Sequence, residues 1–331
     1  MFSNKDLKNL IIPLFLEQLL TILVGLADTF VISFVGEAAV SGVSLVNSFN
    51  TIFIFLFTAL ASGGAVIVSQ YIGSRKIEEA GEAASQLLMI STFFSAGIVI
   101  LLLLFGRPIL GLVFGRVEDD VMEACVTYLR ISAYSYPALA VYNAGAALCR
   151  SIGKTSVTMY IAVVSNVINV VGNLIGVFVL RAGVAGVAYP SLIARMFSAA
   201  AVTALCFRKG NGVYYEGQWI CRWNAGLLKR ILRIAVPNGV EQGIFQFVKV
   251  ALSSIVALFG TYQIAANGIA QSIWSLVTTI GVRLLASVVL AILFDMGVIG
   301  IALAMSLDWC VRAVVFYIRF KGGKWKNYQL I

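Results

Sequence analysis

Long runs without a charged residue constrain this chain more than any other feature. Five runs contain no Asp, Glu, Lys or Arg: 38–74, 83–106, 131–149, 155–180 and 250–282. Each approaches or exceeds the roughly 20 residues with which an α-helix crosses a bilayer. A soluble domain could not bury a composition that is 60% hydrophobic and 12% charged. Because lipid cannot satisfy backbone groups and no barrel-like alternation is present, we predict an all-α polytopic membrane protein.

The apolar runs and their flanking charges predict the topology. Spans are expected at about 10–35, 44–71, 84–105, 123–149, 156–180, 184–207, 231–258 and 298–319, with an ambiguous stretch at 264–294. Basic residues concentrate at alternate ends of these spans, which the positive-inside rule places in the cytoplasm. We expect an uncleaved first helix, a multi-pass protein of the cell's inner membrane, and both termini in the cytoplasm. The net charge of +9 therefore reports topology and not a nucleic-acid partner.

Several chemistries are disfavoured by what the chain lacks. It has no histidine, and its five cysteines show neither paired nor metal-like spacing. Zinc chemistry and histidine-based catalysis are therefore not expected. No nucleotide-binding motif follows a strand, so an ATP-driven pump is not supported. We predict a protein that is not an enzyme, with no catalytic residues, no resident metal and no cofactor.

An internal repeat divides the chain. Adding 224 to a position maps Pro13 onto Pro237, Glu17 onto Glu241 and Gln18 onto Gln242 without a gap. Six crossings precede the second copy, so the two copies are parallel repeats, an arrangement in which transporters place substrate between the halves. The predicted domains are a complete six-helix N-lobe at 1–207, a cytoplasmic linker at 208–230 and a shortened C-lobe at 231–331.

The second copy is incomplete. After about residue 277 the offset of 224 is replaced by one of 114, which matches 183–188 to 297–302. The difference, 224 minus 114, means that the second half lacks 110 residues relative to the first. That is close to three helices. An internal deletion, a natural variant and an incomplete record of the chain all fit, and 264–294 could be either a re-entrant hairpin or a single crossing.

Two carboxylates lie within the first predicted span. Glu17 and Asp28 are 11 residues apart, which puts both on one helical face about 16 Å apart along the axis. A carboxylate inside a bilayer is costly and usually marks an ion or substrate path. Glu17 is near the cytoplasmic end, where structural and functional roles are equally plausible. For Asp28 a functional role is favoured, because reversible capture of a proton or sodium ion needs a charge.

Three asparagines follow on the fifth predicted span. Asn166, Asn169 and Asn173 recur at i, i+3 and i+7, so they share one helical face. Asn173 and Asp28 are each about seven residues from the outer end of their span, and this equal depth predicts that they can meet. The alternative is interhelical hydrogen bonding without function, which stabilises by about 0.6 to 2 kcal/mol per bond.

Several motifs together resemble the multidrug and toxic compound extrusion (MATE) transporters. The motifs are 27–29 with 34–36, 68–74, 148–155 followed by the three asparagines, and Pro237 with Glu241 and Gln242. The resemblance implies a two-lobed helical bundle of twelve helices that exports amphipathic, often cationic compounds in exchange for Na+ or H+. It also implies a cation-coupling site at Asp28 and Asn169, where Na+ could bind transiently.

The resemblance extends to further site residues, and one of them departs from the family. Asn173 stands where the family commonly has aspartate, so a carboxylate is lost from the coupling site. Glu241, with Gln242 beside it, matches an acidic position of the second lobe. We count Glu241, Gln242, Glu17, Asn166 and Tyr136 as candidates for the substrate or second-lobe site. For Tyr136 and the other aromatics of the fourth span, interface anchoring and core packing are the favoured alternatives.

The sequence thus predicts a secondary active antiporter for small amphipathic compounds that acts as a monomer in the lipid bilayer. One alternative is a lipid-linked precursor flippase of the same superfamily, which would need a basic central cavity. Another is a remnant that does not transport, since three missing helices would remove much of one cavity wall.

Overall fold

The computed structural model describes residues 20, 23–115, 117–208, 212–220, 222–257 and 264, which all lie in one compact unit, residues 1–269. Within these residues the regular structure is helical and no strand occurs, which confirms the all-α prediction. The helices are α1 (Leu23–Ser33), α2 (Glu37–Gly73), α3 (Ile77–Phe114), α4 (Asp119–Tyr134), α5 (Tyr136–Ser151), α6 (Thr155–Leu174), α7 (Ala185–Cys206), α8 (Gly217–Ile220) and α9 (Ala225–Ala257). A π-helical turn, Ile175–Val179, extends α6.

Four of the described helices are long and apolar enough to cross a membrane: α2, α3, α6 with its π-helical turn, and α7. Their outward faces are strongly apolar, since Leu104 and Leu112 of α3 are 68% and 89% exposed. Exposed leucines at this density are expected where a helix faces lipid. The predicted spans at 44–71, 84–105, 156–180 and 184–207 are confirmed as helices.

The fourth predicted span, 123–149, is wrong as a single helix, because it breaks at Ser135 into α4 and α5. Pro137 explains the break: it has no backbone N–H, and its ring would clash with the carbonyl of Ala133 in a continuous helix. The Ser135 hydroxyl donates to the Ser132 carbonyl at 2.6 Å and so satisfies an acceptor near the break. The polar Ser135 side chain is thereby held inside the bundle, 1% exposed.

Small residues set the spacing of α6 and α7. Gly176 and Gly186 lie so close that a Cβ atom on either would contact the backbone of the other. One turn earlier, a Cβ on Gly172 would lie 2.6 Å from the Cβ of Pro190. Close backbone approach at small residues is the usual way in which helices associate in membranes.

The residues predicted as a linker do not all form one. α9 begins at Ala225, so the end of the predicted 208–230 segment is helical, and α9 then packs along α2. A Cβ on Gly63 of α2 would lie 2.8 Å from the Cβ of Ala235 in α9. The division into lobes at 1–207, 208–230 and 231–331 stays a prediction.

The part of the predicted linker that precedes α9 is hydrogen-bonded to α3 through one side chain. Gln86 is fully buried; its Nε2 donates to the Trp219 carbonyl at 2.6 Å and to the Arg222 carbonyl, and its Oε1 accepts from the Asn224 N–H at 3.2 Å. The neighbouring Ser85 hydroxyl accepts from the Glu216 N–H at 3.2 Å. A buried amide that serves three backbone groups satisfies polar atoms that would otherwise be orphaned.

We expect Gln86→Leu to detach this segment and expose the Arg222 peptide bond. Three backbone groups would lose their partner, and each buried unpaired group costs about 1–3 kcal/mol. Each ~1.4 kcal/mol by which the free energy of local opening falls makes the open form tenfold more populated. Trypsin cleavage after Arg222 should therefore accelerate by about tenfold or more. Gln218→Leu is the matched control, because Gln218 is exposed on the same segment. Equal cleavage rates for the two variants would contradict this role of Gln86.

Candidate functional site

Polar side chains from three helices meet inside the bundle. Asn173 of α6 donates from Nδ2 to Asp28 Oδ1 of α1 at 2.5 Å and to Asn169 Oδ1 at 3.2 Å. Asn169 donates from its own Nδ2 to the Ser191 hydroxyl of α7 at 2.8 Å. The predicted meeting of Asp28 and Asn173 is thus confirmed. We call Asp28, Asn169, Asn173 and Ser191 the Asp28 cluster.

The Asp28 cluster has unused acceptor capacity. Asn173 is 1% exposed, and its Oδ1 is buried without a hydrogen-bond partner among the described residues. Buried polar atoms are nearly always paired, so an orphaned one calls for a ligand, a water or an ion. An amide oxygen beside a carboxylate offers oxygen ligands, which hard cations prefer. The cluster can therefore hold a proton on the carboxylate or a small cation between the two groups.

Local structure explains how α6 presents these groups. Asn169 and Asn173 are four residues apart and point to one face, with the π-helical turn directly after them. Single π turns within helices are frequent at functional sites. Across the interface, the Ser165 hydroxyl donates to the Ala194 carbonyl of α7 at 3.0 Å, which fixes the helix pair just beside the cluster.

Arg195 was not among the site residues predicted from the sequence. This half-buried residue of α7 donates from Nη1 to the Ser135 hydroxyl at 2.6 Å, at the break between α4 and α5. Its charge acts electrostatically on Asp28 and on the Tyr128 and Tyr136 hydroxyls. A signal was available, because Arg195 is the single charged residue of the predicted span 184–207. Like Asp28, Arg195 is a charged residue within an apolar span, where a charge is costly.

Tyr136 lies in the packed core. It is fully buried, donates its hydroxyl to Asn50 Oδ1 of α2 at 2.6 Å, and contacts the rings of Phe53 and Phe57. Nearby, Tyr128 is also buried, with 6% of its side chain exposed. Tyr136 is thus close to Arg195 but enclosed, and its contact with substrate stays a prediction.

The remaining candidates do not join the Asp28 cluster in the described part of the chain. Asn166 is half-buried, and its Nδ2 has no partner there. Glu241 lies on an exposed part of α9 with Gln242 half-buried beside it, and no hydrogen bond between described residues connects either to the cluster. Glu17 lies outside the described residues. Their roles stay predictions.

This chain is similar to known membrane transporters. Residues 13–175 match the sequence model of the MatE family. Over these residues the chain is similar to the MatE family. It is 26% identical to the uncharacterized transporter YisQ of Bacillus subtilis (strain 168), over 81% of this chain and 59% of that protein. It is 22% identical to a probable multidrug resistance protein NorM of Thermotoga maritima, over 82% of this chain and 59% of that protein.

A solved structure shows the same fold. The match is to the inward-facing conformation of a multidrug resistance MATE family transporter of the MOP superfamily, with a TM-score of 0.72 and 22% identity over 86% of this chain and 60% of that one. The chain therefore spans about three fifths of the length of these proteins. The predictions of a MATE-like membrane protein and of a protein that is not an enzyme are confirmed.

Proposed function

We propose that this MatE protein is a secondary active antiporter that exports small amphipathic compounds in exchange for Na+ or H+. The observation that carries the proposal is Asp28, an acidic residue of α1 that is hydrogen-bonded to Asn173. The Oδ1 of Asn173 itself has no partner among the described residues. Ionisable groups inside membrane bundles typically mark ion pathways. Relatives named as multidrug resistance proteins support the direction and the substrate class.

Asp28 binds the coupling ion in this proposal, and Asn169 and Asn173 shape its site. Asn169 holds the cluster together across α6 and α7, since it accepts from Asn173 and donates to Ser191. The substrate occupies the space between the two predicted lobes, with Glu241, Gln242, Glu17, Asn166 and Tyr136 as candidate contacts. The protein acts as a monomer in the inner membrane. Both of its termini lie in the cytoplasm in this proposal, and cysteine labelling from either side of the membrane would test that orientation.

Gradient dependence tests the exchange. We expect proteoliposomes that contain the full chain to move a cationic dye against its gradient when Na+ or H+ flows in the opposite direction. Antiport couples the two fluxes, so collapse of the ion gradient with an ionophore should stop dye accumulation. Empty liposomes are the control for leakage. Dye movement that is the same with and without both ion gradients would contradict antiport.

The length of the chain favours one other candidate, a MatE remnant that does not transport. The chain covers 59% of each of two relatives, and its second repeat lacks 110 residues relative to its first. The mass of the intact protein decides first: 35.6 kDa would match this chain, and a larger mass would rule the remnant out. With a matching mass, absence of transport in proteoliposomes would support the remnant.

A further inference from the structure

Arg195 is a cation inside the bundle, and most of its hydrogen-bonding capacity is unused among the described residues. A guanidinium has five N–H donors in a planar fork. Its hydrogen bond in this structure goes from Nη1 to a neutral hydroxyl, that of Ser135. No carboxylate among the described residues forms an ion pair with Arg195. A cation at membrane depth is expensive unless it is paired, so this arrangement calls for an anionic partner.

Asp28 does not fill that position. The Asp28 carboxylate acts electrostatically with Arg195 but accepts its hydrogen bond from Asn173. The Asn173 amide therefore uses one acceptor position of Asp28 Oδ1, and no hydrogen bond from Arg195 to Asp28 occurs among the described residues. The two opposite charges remain separate within one polar region, and each keeps capacity for a ligand.

The surroundings of Arg195 suit an amphipathic ligand. Arg195 is half-buried, and Tyr134, the chain neighbour of its partner Ser135, has an aromatic side chain that is 50% exposed. Ser135 is fixed by its bond to the Ser132 carbonyl, so it holds the guanidinium at the break between α4 and α5. A planar fork held in place favours a planar, two-oxygen anion, because carboxylates accept two parallel N–H bonds.

We propose that Arg195 binds the carboxylate of a transported compound, so that this protein takes carboxylate-bearing amphiphiles, including zwitterions, as substrates. The inference deepens the proposed function and rests on it, because a bound compound is a substrate only if the protein transports it. The binding site itself does not depend on ion exchange. A zwitterion qualifies as well, because its carboxylate alone needs to meet Arg195.

Equilibrium binding to the full chain in lipid nanodiscs tests the site. The probes are a dansyl-labelled undecanoic acid and its methyl ester, which has one methyl group more and lacks the negative charge. We expect the wild-type protein to bind the acid about tenfold more tightly than the ester, because charge-assisted hydrogen bonds are stronger than neutral ones. Arg195→Gln should remove that preference by weakening acid binding, with ester binding unchanged.

Two further variants separate charge from folding. Arg195→Lys keeps the charge and loses the fork, so an intermediate preference is expected. Ser198→Ala is the control on α7, because the Ser198 hydroxyl donates to the Ala194 carbonyl of its own helix; it should behave as wild type. The site is overturned if wild type shows no preference for the acid, if neither probe binds, or if Arg195→Gln or Arg195→Lys keeps the full preference.

Failure of the site and failure of the proposed function give different results. Loss of the acid preference together with gradient-driven efflux of a cationic dye would reject the Arg195 site and keep the antiporter. Binding of the acid through Arg195 without gradient-driven efflux would keep the site and reject ion exchange.

Discussion

Asp28→Asn abolishes ion-coupled efflux if Asp28 loads the coupling ion. Asparagine has nearly the same shape, and its Oδ1 can still accept the bond from Asn173 that Asp28 accepts now. The variant should therefore fold. Its side chain carries no negative charge, so it can neither take up a proton as a carboxylate does nor attract a cation with a full charge. We expect coupled dye efflux in proteoliposomes to fall at least about tenfold, which corresponds to a loss of 1.4 kcal/mol or more.

The matched control is Asp120→Asn, at the exposed start of α4. It removes the same charge outside the bundle and should leave efflux unchanged. Downhill dye movement by Asp28→Asn in the absence of an ion gradient should persist, because substrate contact does not require Asp28 to be charged. Coupled efflux at the wild-type rate in Asp28→Asn would remove the observation on which the antiporter rests.

Gly176→Val should be the most destabilising single change near the site. A Cβ at this position would contact the Gly186 backbone, which cannot move aside as a flexible side chain could. Overpacking of this kind typically lowers the free energy of unfolding by about 1–3 kcal/mol. A clash with backbone should cost about 3 kcal/mol, the upper end of that range. We expect the thermal unfolding midpoint in detergent to fall by about 6 °C or more.

Separation of α6 from α7 should also damage the Asp28 cluster, because the bond from Asn169 to Ser191 crosses this interface. Coupled efflux should fall along with stability. Gly97→Val is the control, since a Cβ on Gly97 of α3 has nothing within 4 Å. If the two valine variants unfold at the same temperature, the close approach at Gly176 does not hold the helices together.

Depth in the membrane was the most useful quantity that the sequence supplied. Asp28 and Asn173 were expected at equal depth from residue counts alone, and their side chains do meet. The argument works because an α-helix rises by a constant amount per residue and a bilayer limits where each span can begin and end. The same reasoning applied to Arg195 would have flagged it, but its partner Ser135 could not be foreseen.

Rotation about the helix axis was harder to predict than depth. Tyr136 was considered for a substrate path, yet it lies fully buried with its hydroxyl on Asn50. An apolar helix presents no clear polar face to orient it, so the direction of a side chain depends on which neighbours pack closest. The break at Ser135 adds a further change of direction that a single span at 123–149 did not include.

By itself the sequence determined that this chain is a helical membrane protein, where its charge-free spans lie and which acidic group sits among them. Those properties follow from hydrophobic length and from the cost of charge in lipid. Only the tertiary structure decided that Asn173 and not Arg195 bonds to Asp28, and that Arg195 reaches Ser135 instead. Such pairings depend on close contacts between helices, as at Gly176 and Gly186, which hydropathy along one helix does not encode.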